Sequence, residues 1–257
     1  VLDIPDAQWW SPDNPYLYDM KMELLAGNDV VDNVDSYFAM RKISIAKDEE
    51  GIDRIMLNNK FVFQYGPLDQ GWWPDGLLTP PSDEALKYDI EFLQKAGFNT
   101  IRKHIKIEPE RFYYHCDKMG MIVWQDAVCS SEYNLKDKNP GKDPHAAKQF
   151  EFELKQMIDQ LGNYPSIVMW VVFNEGWGQY GGKTLIDWTK EYDPSRLASV
   201  SGWVDFGNGD VCDVHRYPGP GRIENSGDGR AFVVGEFGGL GLPVQGHTWI
   251  ESDKNWG

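Results

Sequence analysis

Two short stretches of the 257-residue sequence carry the most chemistry. Ile167–Phe173 is an unbroken apolar run that stops at Asn174-Glu175, and a second run in "AFVVGEFGG" ends in Glu236. A carboxylate beside a strand that apolar is costly unless it is solvated or paired. One such glutamate reads as a strand simply meeting water at its loop. Two of them, with aromatics nearby, read as function. Paired carboxylates across a small cleft suit glycosidic bond cleavage. One stays protonated to donate to the leaving oxygen, and the other stays ionised to attack carbon or activate water.

Other polar residues cluster at the ends of similar runs. Arg102, His104 and, just past its end, Lys106 share one parity along the run Asn99–Ile105, so they are expected on one face. Arg102 could keep a neighbouring carboxylate ionised. Asp126 ends the run Met121–Gln125, and His215, Arg216 and Tyr217 end the run Val211–His215. Asp69 and Gln70 sit in the loop after Phe61–Tyr65, together with Trp72, Trp73 and Asp75. Sugars need flat aromatic faces for their C–H surfaces, which Trp72, Trp73, Trp177, Trp203 and Tyr217 could supply. Gln70, Asn174 and Gln179 could bind hydroxyls. A metal held by His104, His215, Asp126 and the glutamates competes with this reading, but no HxH or HExxH spacing supports it. No metal or other cofactor is expected.

These residues need a scaffold that gathers strand ends. From about Leu57 onward, short apolar strands alternate with amphipathic helices. The expected helices run from Ser82 through Ala96, from Pro109 to near Gly120, from Pro144 to about Leu161, and over Thr184–Glu191. Ser82 is a good N-cap, with Asp83 and Glu84 behind it, and Gly97, Gly120 and Gly162 are stops. The strands are Phe61–Tyr65, Asn99–Ile105, Met121–Gln125, Ile167–Phe173, Leu197–Ser201, Val211–His215 and Ala231–Gly235. Repeated βα units with wholly apolar strands indicate a parallel sheet covered by helices. With no GxGxxG or P-loop, an α/β fold of the (β/α)8 TIM-barrel type fits best, and its working residues sit where strands meet the following loops. An eighth strand is not clear. It is expected after Gly257 or within Thr248–Trp256.

Residues 1–50 read differently, as short strands at Tyr16–Tyr18, Met20–Leu25 and Ser36–Ile45 separated by turns. Three strands cannot close a sandwich, so this segment reads as the end of a β domain, with 51–257 as the barrel. The missing initiator Met fits a piece of something longer. Net charge is −15, which argues against nucleic acid, since phosphate binding needs basic surface. No run of 18 apolar residues occurs, so no membrane span is expected. Cys116, Cys129 and Cys212 show no metal spacing and read as free thiols; they leave the compartment open between a bacterial-type cytoplasm and periplasm, with a slight lean to the reducing cytoplasm. Homo-oligomerisation is left open by the sequence.

The residues also resemble a family. Asn-Glu ending strand four and Glu ending strand seven look like the retaining β-glycosidases of clan A. More closely, the chain resembles glycoside hydrolase family 2, the β-galactosidase, β-glucuronidase and β-mannosidase group. "WSPDNPYLYDMKMEL" and "DSYFAMRKISI" are similar to the end of that family's immunoglobulin-like β-sandwich. "LNNKFVFQYGPLDQGWWPDG", "GFNTIRKHIKIEPERFYYHCDKMGMIVWQD" and "VVFNEGWGQ" are similar to successive barrel segments. The resemblance implies Glu175 as acid/base and Glu236 as nucleophile. It implies that Asn174 binds a sugar 2-hydroxyl, Arg102 and Tyr217 attend the nucleophile, and Asp126 touches sugar hydroxyls.

Galactosidase and glucuronidase members show Arg-x-Ser-His-Tyr-Pro on strand two. Here His104 stands one place early. The mannosidase Arg-Val-Trp-Gly-Gly-Gly is missing. The expected activity is an exo-acting, retaining β-galactosidase, with β-glucuronidase, β-mannosidase and α-L-arabinosidase as alternatives within the family. A fragment that binds carbohydrate without turnover is the alternative from another class.

Overall fold

The computed structural model describes residues 3–129, 144–176, 178–202, 207–221, 227–241 and 245–246. Six strands come first: β1 (Tyr18–Ala26), β2 (Asp29–Phe38), β3 (Ile43–Lys47), β4 (Asp53–Leu57), β5 (Lys60–Phe61) and β6 (Leu68–Asp69). Alternation follows, with α1 (Asp83–Lys95), β7 (Thr100–Lys103), α2 (Glu110–Met119), β8 (Ile122–Asp126), α3 (Pro144–Leu161), β9 (Ile167–Asn174) and α4 (Gly182–Tyr192). The last described strands are β10 (Leu197–Ser201), β11 (Val211–Arg216) and β12 (Ala231–Phe237).

The helices start and stop for local reasons. Ser82 accepts from the Ala85 amide at 3.2 Å and caps α1, whose Leu86 and Ile90 are buried. Pro109 is the N-cap of α2, just ahead of the helix, and Gly120 ends that helix in the left-handed conformation.

Among the described residues, β6, β7, β8, β9 and β10 form one parallel sheet, and β11 pairs with β12 in parallel. This is the wall of a (β/α) TIM barrel with its helices outside. Two apolar layers show it. Ile101, Val123, Trp170, Val172 and Ala198 pack outward with Leu86, Phe112, Cys116 and Leu154 of the helices. Residues of opposite parity, among them Ile122, Trp124, Val171, Leu197 and Val211, fill the interior. The hairpin β3–β4 sends Ile43, Ile55 and Leu57 into that interior cluster and plugs one end of the barrel. Arg41 pins the same end by donating to the carbonyls of Pro165, Ile167 and Ser195 at 3.0, 2.8 and 2.6 Å.

The first barrel strand departs from expectation. Phe61 pairs antiparallel with Met56 as part of β5, and the parallel partner of β7 is Leu68–Asp69. Asn59 and Asn58 both adopt positive φ and turn the chain back on β4, so Phe61 serves the hairpin, while Val62 packs on the interior cluster and Tyr65 bonds Asn99 ahead of β7 without forming a strand. A cavity of about 480 Å³ lies between Phe61–Tyr65 and the outer edge of β12. The segment proposed for strand eight, Thr248–Trp256, lies outside the described residues.

The expected strand Ser36–Ile45 is divided between β2 and β3. The β1–β2 hairpin leaves Leu24, Val30 and Val34 exposed, the pattern of strands from a β-sandwich. No helix among the described residues is long and apolar enough to cross a membrane.

Candidate active site

The carboxyl-terminal ends of β7 to β12 converge on one buried polar cluster with Arg102 at its centre. Arg102 grips Asp126 with two bonds, Nε to Oδ1 at 3.1 Å and Nη2 to Oδ2 at 2.9 Å. It also donates from Nη2 to Asn174 Oδ1 at 2.8 Å and from Nη1 to Glu236 Oε1 at 2.9 Å. Burial opposes the guanidinium charge, but Asp126, Glu236 and Asp213 outweigh it and hold Arg102 above its ordinary pKa. Burial pushes Asp126 up to about 6, against the pull of Arg102.

Glu236 is held from two sides. Its Oε1 takes Arg102, and its Oε2 accepts a hydrogen bond from the Tyr217 hydroxyl. Burial, and then the Glu236 carboxylate, raise the Tyr217 pKa, so the phenol keeps the proton it donates. Glu175 is held differently. It lies just past β9 with φ of 51°, in a region a side chain seldom occupies, and its amide donates to the Ser201 carbonyl at 2.7 Å. Its Oε1 sits 2.7 Å from His215 Nδ1, which is 3.4 Å from Glu236 Oε2. One oxygen of Glu175, one of Glu236 and a ring nitrogen of His215 all lie within 4.8 Å of one another.

Two glycines permit this approach. A Cβ on Gly202, whose φ is 96°, would fall 2.9 Å from Glu175 Cγ and 3.0 Å from His215 Cε1. A Cβ on Gly235 would strike the Asp213 carboxylate at 2.2 Å. The register of β11 against β12 shifts at Val214/His215, which brings His215 opposite Glu236. This bulge sets the histidine beside the carboxylate.

His104 reaches the cluster from β7's end. The Gln70 amide nitrogen is 3.2 Å from its Nδ1, while its Nε2 is buried without a hydrogen-bond partner, 3.7 Å from Glu236 Oε1. Burial, and then repulsion from Arg102, lower its pKa to about 4, so the ring is neutral at neutral pH. With Gln70 donating to Nδ1, Nε2 carries the hydrogen and stands beside Asn174 and Glu236.

Six of the expected residues besides the two glutamates therefore meet here: Asn174, Arg102, His104, Asp126, His215 and Tyr217. Asp69 does not. Its carboxylate accepts from Lys103 Nζ at 2.6 Å and from the Gly71 amide at 2.8 Å, beside the helices rather than the cleft. Asp69 is paired in register with Lys103, which faces outward, so it follows that parity and not that of Arg102.

Lys106 likewise leaves the shared face. β7 ends at Lys103 and Ile105 takes a φ of 51°, which breaks the alternation. Lys106 Nζ bonds the Gly71 carbonyl at 2.6 Å and Glu108 at 2.8 Å. Trp177 and Trp203 lie outside the described residues. Sequence reasoning overlooked Asp213. It lies two residues before His215 on one strand, and that shared parity was the available signal.

Among the described residues, Glu175, His215 and Glu236 are the ones whose donor atoms stand close enough together to ligate a cation. Each already has protein partners: His215 for Glu175, Arg102 and Tyr217 for Glu236, and Ser201 for the far nitrogen of His215 at 2.8 Å. Hydrogen bonding within the chain accounts for the cluster.

The fold and site define a class: a parallel (β/α) barrel whose strand ends gather two carboxylates around an arginine–tyrosine clamp. Residues 81–215 match the model "Glycosyl hydrolases family 2, TIM barrel domain", and residues 1–41 match "Glycosyl hydrolases family 2". The chain belongs to glycosyl hydrolase family 2.

Among its relatives, a β-galactosidase of Lactococcus lactis is 25% identical over 217 residues, which cover 83% of this chain and 21% of that protein. A putative β-glucuronidase of Formosa agariphila is 27% identical over 254 residues, or 96% of this chain and 22% of that protein. The chain thus spans about a fifth of the length of these relatives. A β-galacturonidase from Eisenbergiella tayi, solved with glycerol bound, superposes with a TM-score of 0.75 at 23% identity, covering 96% of this chain and 47% of that one. At that identity the likeness speaks for the fold.

Proposed function

We propose that the chain carries the catalytic centre of a retaining exo-β-glycosidase acting on terminal, non-reducing β-linked sugars. Glu236 is the nucleophile and Glu175 the acid/base. The observation that carries this is the asymmetric setting of two close carboxylates. Glu236 is clamped by a cation and a phenol, which suits an ionised nucleophile. Glu175 faces an imidazole, a group that can exchange a proton with it. Oxygens within 4.8 Å fit retention, where the carboxyl groups stand about 5–5.5 Å apart, rather than inversion, which needs about 6.5–9.5 Å to admit a water.

In the first step Glu175 protonates the glycosidic oxygen while Glu236 attacks the anomeric carbon and the C–O bond breaks. In the second, Glu175 takes a proton from water, which attacks the same carbon and releases Glu236. Because Asn174 Oδ1 is occupied by Arg102, its amide nitrogen is the group left to donate to a sugar hydroxyl. The His104 Nε2–H is a second donor next to the nucleophile.

We read the sugar as a β-galactoside. The lysine that could have met a uronate, Lys106, is engaged by Glu108 and Gly71. A panel of aryl β-galactoside, β-glucuronide, β-mannoside and α-L-arabinoside tests both claims. The galactoside is the substrate expected to turn over, with its rate abolished in Glu236→Gln and untouched by chelator. Undiminished hydrolysis by Glu236→Gln would overturn the assignment. Saccharide binding with no turnover on any member would favour a binding fragment.

A further inference from the structure

Behind His215 lies a pair that the double displacement does not use. Asp213 is buried on β11, with Oδ1 accepting from the Gly235 amide at 2.6 Å and Oδ2 lying 2.5 Å from Ser201 Oγ. Ser201 Oγ is in turn 2.8 Å from His215 Nε2, and His215 Nδ1 is 2.7 Å from Glu175 Oε1. Four groups therefore stand in an unbroken hydrogen-bonded file from a buried carboxyl to the acid/base. Arg102 Nη1, 3.4 Å from His215 Nε2, flanks this file, as do Glu236 and His104. Asp126 lies on the far side of Arg102.

We propose that Asp213, Ser201 and His215 are positioning residues that form a proton relay to Glu175. Taken with the assignment of Glu175 above, the file holds one shared proton between two carboxyl ends. In one form Glu175 is a carboxylic acid donating to bare Nδ1, Nε2–H donates to Ser201, and the Ser201 hydroxyl donates to the Asp213 carboxylate. Moving each hydrogen one bond along gives the other form. There Glu175 is a carboxylate accepting from Nδ1–H, the Ser201 hydroxyl donates to bare Nε2, and Asp213 is the carboxylic acid. No proton is gained or lost, the ring stays neutral, and the single negative charge moves from Asp213 to Glu175.

The geometry admits both directions because a hydroxyl and an imidazole each donate and accept. Burial raises the Asp213 carboxyl above its ordinary pKa against the pull of Arg102 and His215, so it is a fit store for a proton. A relay of this kind supplies Glu175 with its proton before it acts as acid. It also stabilises the carboxylate that acts as base in the second step.

Leaving-group dependence and nitrogen NMR test the relay. Ser201→Ala cuts the file without touching Glu175. On an alkyl β-glycoside, whose departure needs the acid, kcat/KM is expected to fall about tenfold or more, within the range general acid catalysis contributes. On a dinitrophenyl β-glycoside, whose leaving group departs unprotonated, the loss is expected to be far smaller. Ser201→Thr, which keeps the hydroxyl, is expected to restore the alkyl rate. Equal losses on both substrates, or none on either, would overturn the relay.

The second measurement needs no turnover. In protein carrying nitrogen-labelled histidine, Ser201→Ala is expected to move the His215 Nδ1 signal, and Glu175→Gln the Nε2 signal. If either far-side signal stays in place, the relay is refuted, whatever the chain hydrolyses. An unimpaired Glu236→Gln enzyme would instead refute the catalytic assignment.

Discussion

Replacing Arg102 with methionine tests the electrostatic account of the site. The guanidinium is 4% exposed and makes four hydrogen bonds of 2.8–3.1 Å, two to Asp126 and one each to Glu236 and Asn174. Methionine fills much of the space but takes from both buried carboxyls the cation that pairs with them. Removing one partner of a buried ion pair costs about 3–5 kcal/mol. For a chain near this size, each kcal/mol lowers Tm by about 2–4 °C, so a drop of about 6–20 °C is expected.

The sign of the pH dependence follows from Asp126. Its folded pKa is about 6 even with Arg102 present, above the unfolded value of about 3.9. Loss of the cation raises the folded value further. A raised folded pKa gives stability that is whole below the unfolded pKa and lost as pH rises through the folded one. The deficit of Arg102→Met is therefore smaller near about pH 5 and larger near about pH 8. Thermal unfolding followed by circular dichroism, variant beside parent at both pH values, measures it. A drop under about 2 °C, or the same drop at both pH values, refutes the picture of Arg102 as the counter-charge to two buried carboxyls.

Three further outcomes are expected. Tyr217→Phe removes a charge-assisted hydrogen bond from Glu236, worth about 1.5–3 kcal/mol, and should lower kcat/KM by about 10–150-fold with little change in Tm; a loss below about twofold would exclude the clamp. Gly202→Ala forces a side chain into a φ of 96° and against Glu175 and His215, so kcat should fall by about 5–150-fold, through strain of about 1–3 kcal/mol, and wild-type kcat would contradict the contact. Lys106→Met should leave the ratio of glucuronide to galactoside rates unchanged while lowering Tm, because the ammonium is tied to Glu108 and Gly71; a changed ratio would show that it meets substrate.

Much of this site was legible in the chain. Strands that are apolar on both faces need helices outside and a filled core inside, so their polar ends mark where burial stops. That reasoning located Asn174, Glu175 and Glu236. Strand parity placed Arg102 with His104, and family resemblance added roles for Tyr217 and Asp126. The cap at Ser82 and the stop at Gly120 needed only local physics.

Other features depended on what lies far away in the chain. Phe61 has the composition of a barrel strand, yet a tight turn at Asn58-Asn59 returns it to β4. Asp69 and Lys106 have the right chemistry for the cleft, but register and a left-handed residue at Ile105 turn them to Lys103 and Glu108. The file from Asp213 to Glu175 crosses three strands, and the shift at Ser199/Ser201 sets Ser201 opposite Asn174, next to Glu175. Residue types and alternation thus determined which groups stand at the rim. Which groups touch was decided by register, bulges and close approach at Gly202 and Gly235, because a one-residue slip reverses every side chain and leaves no mark on local pattern.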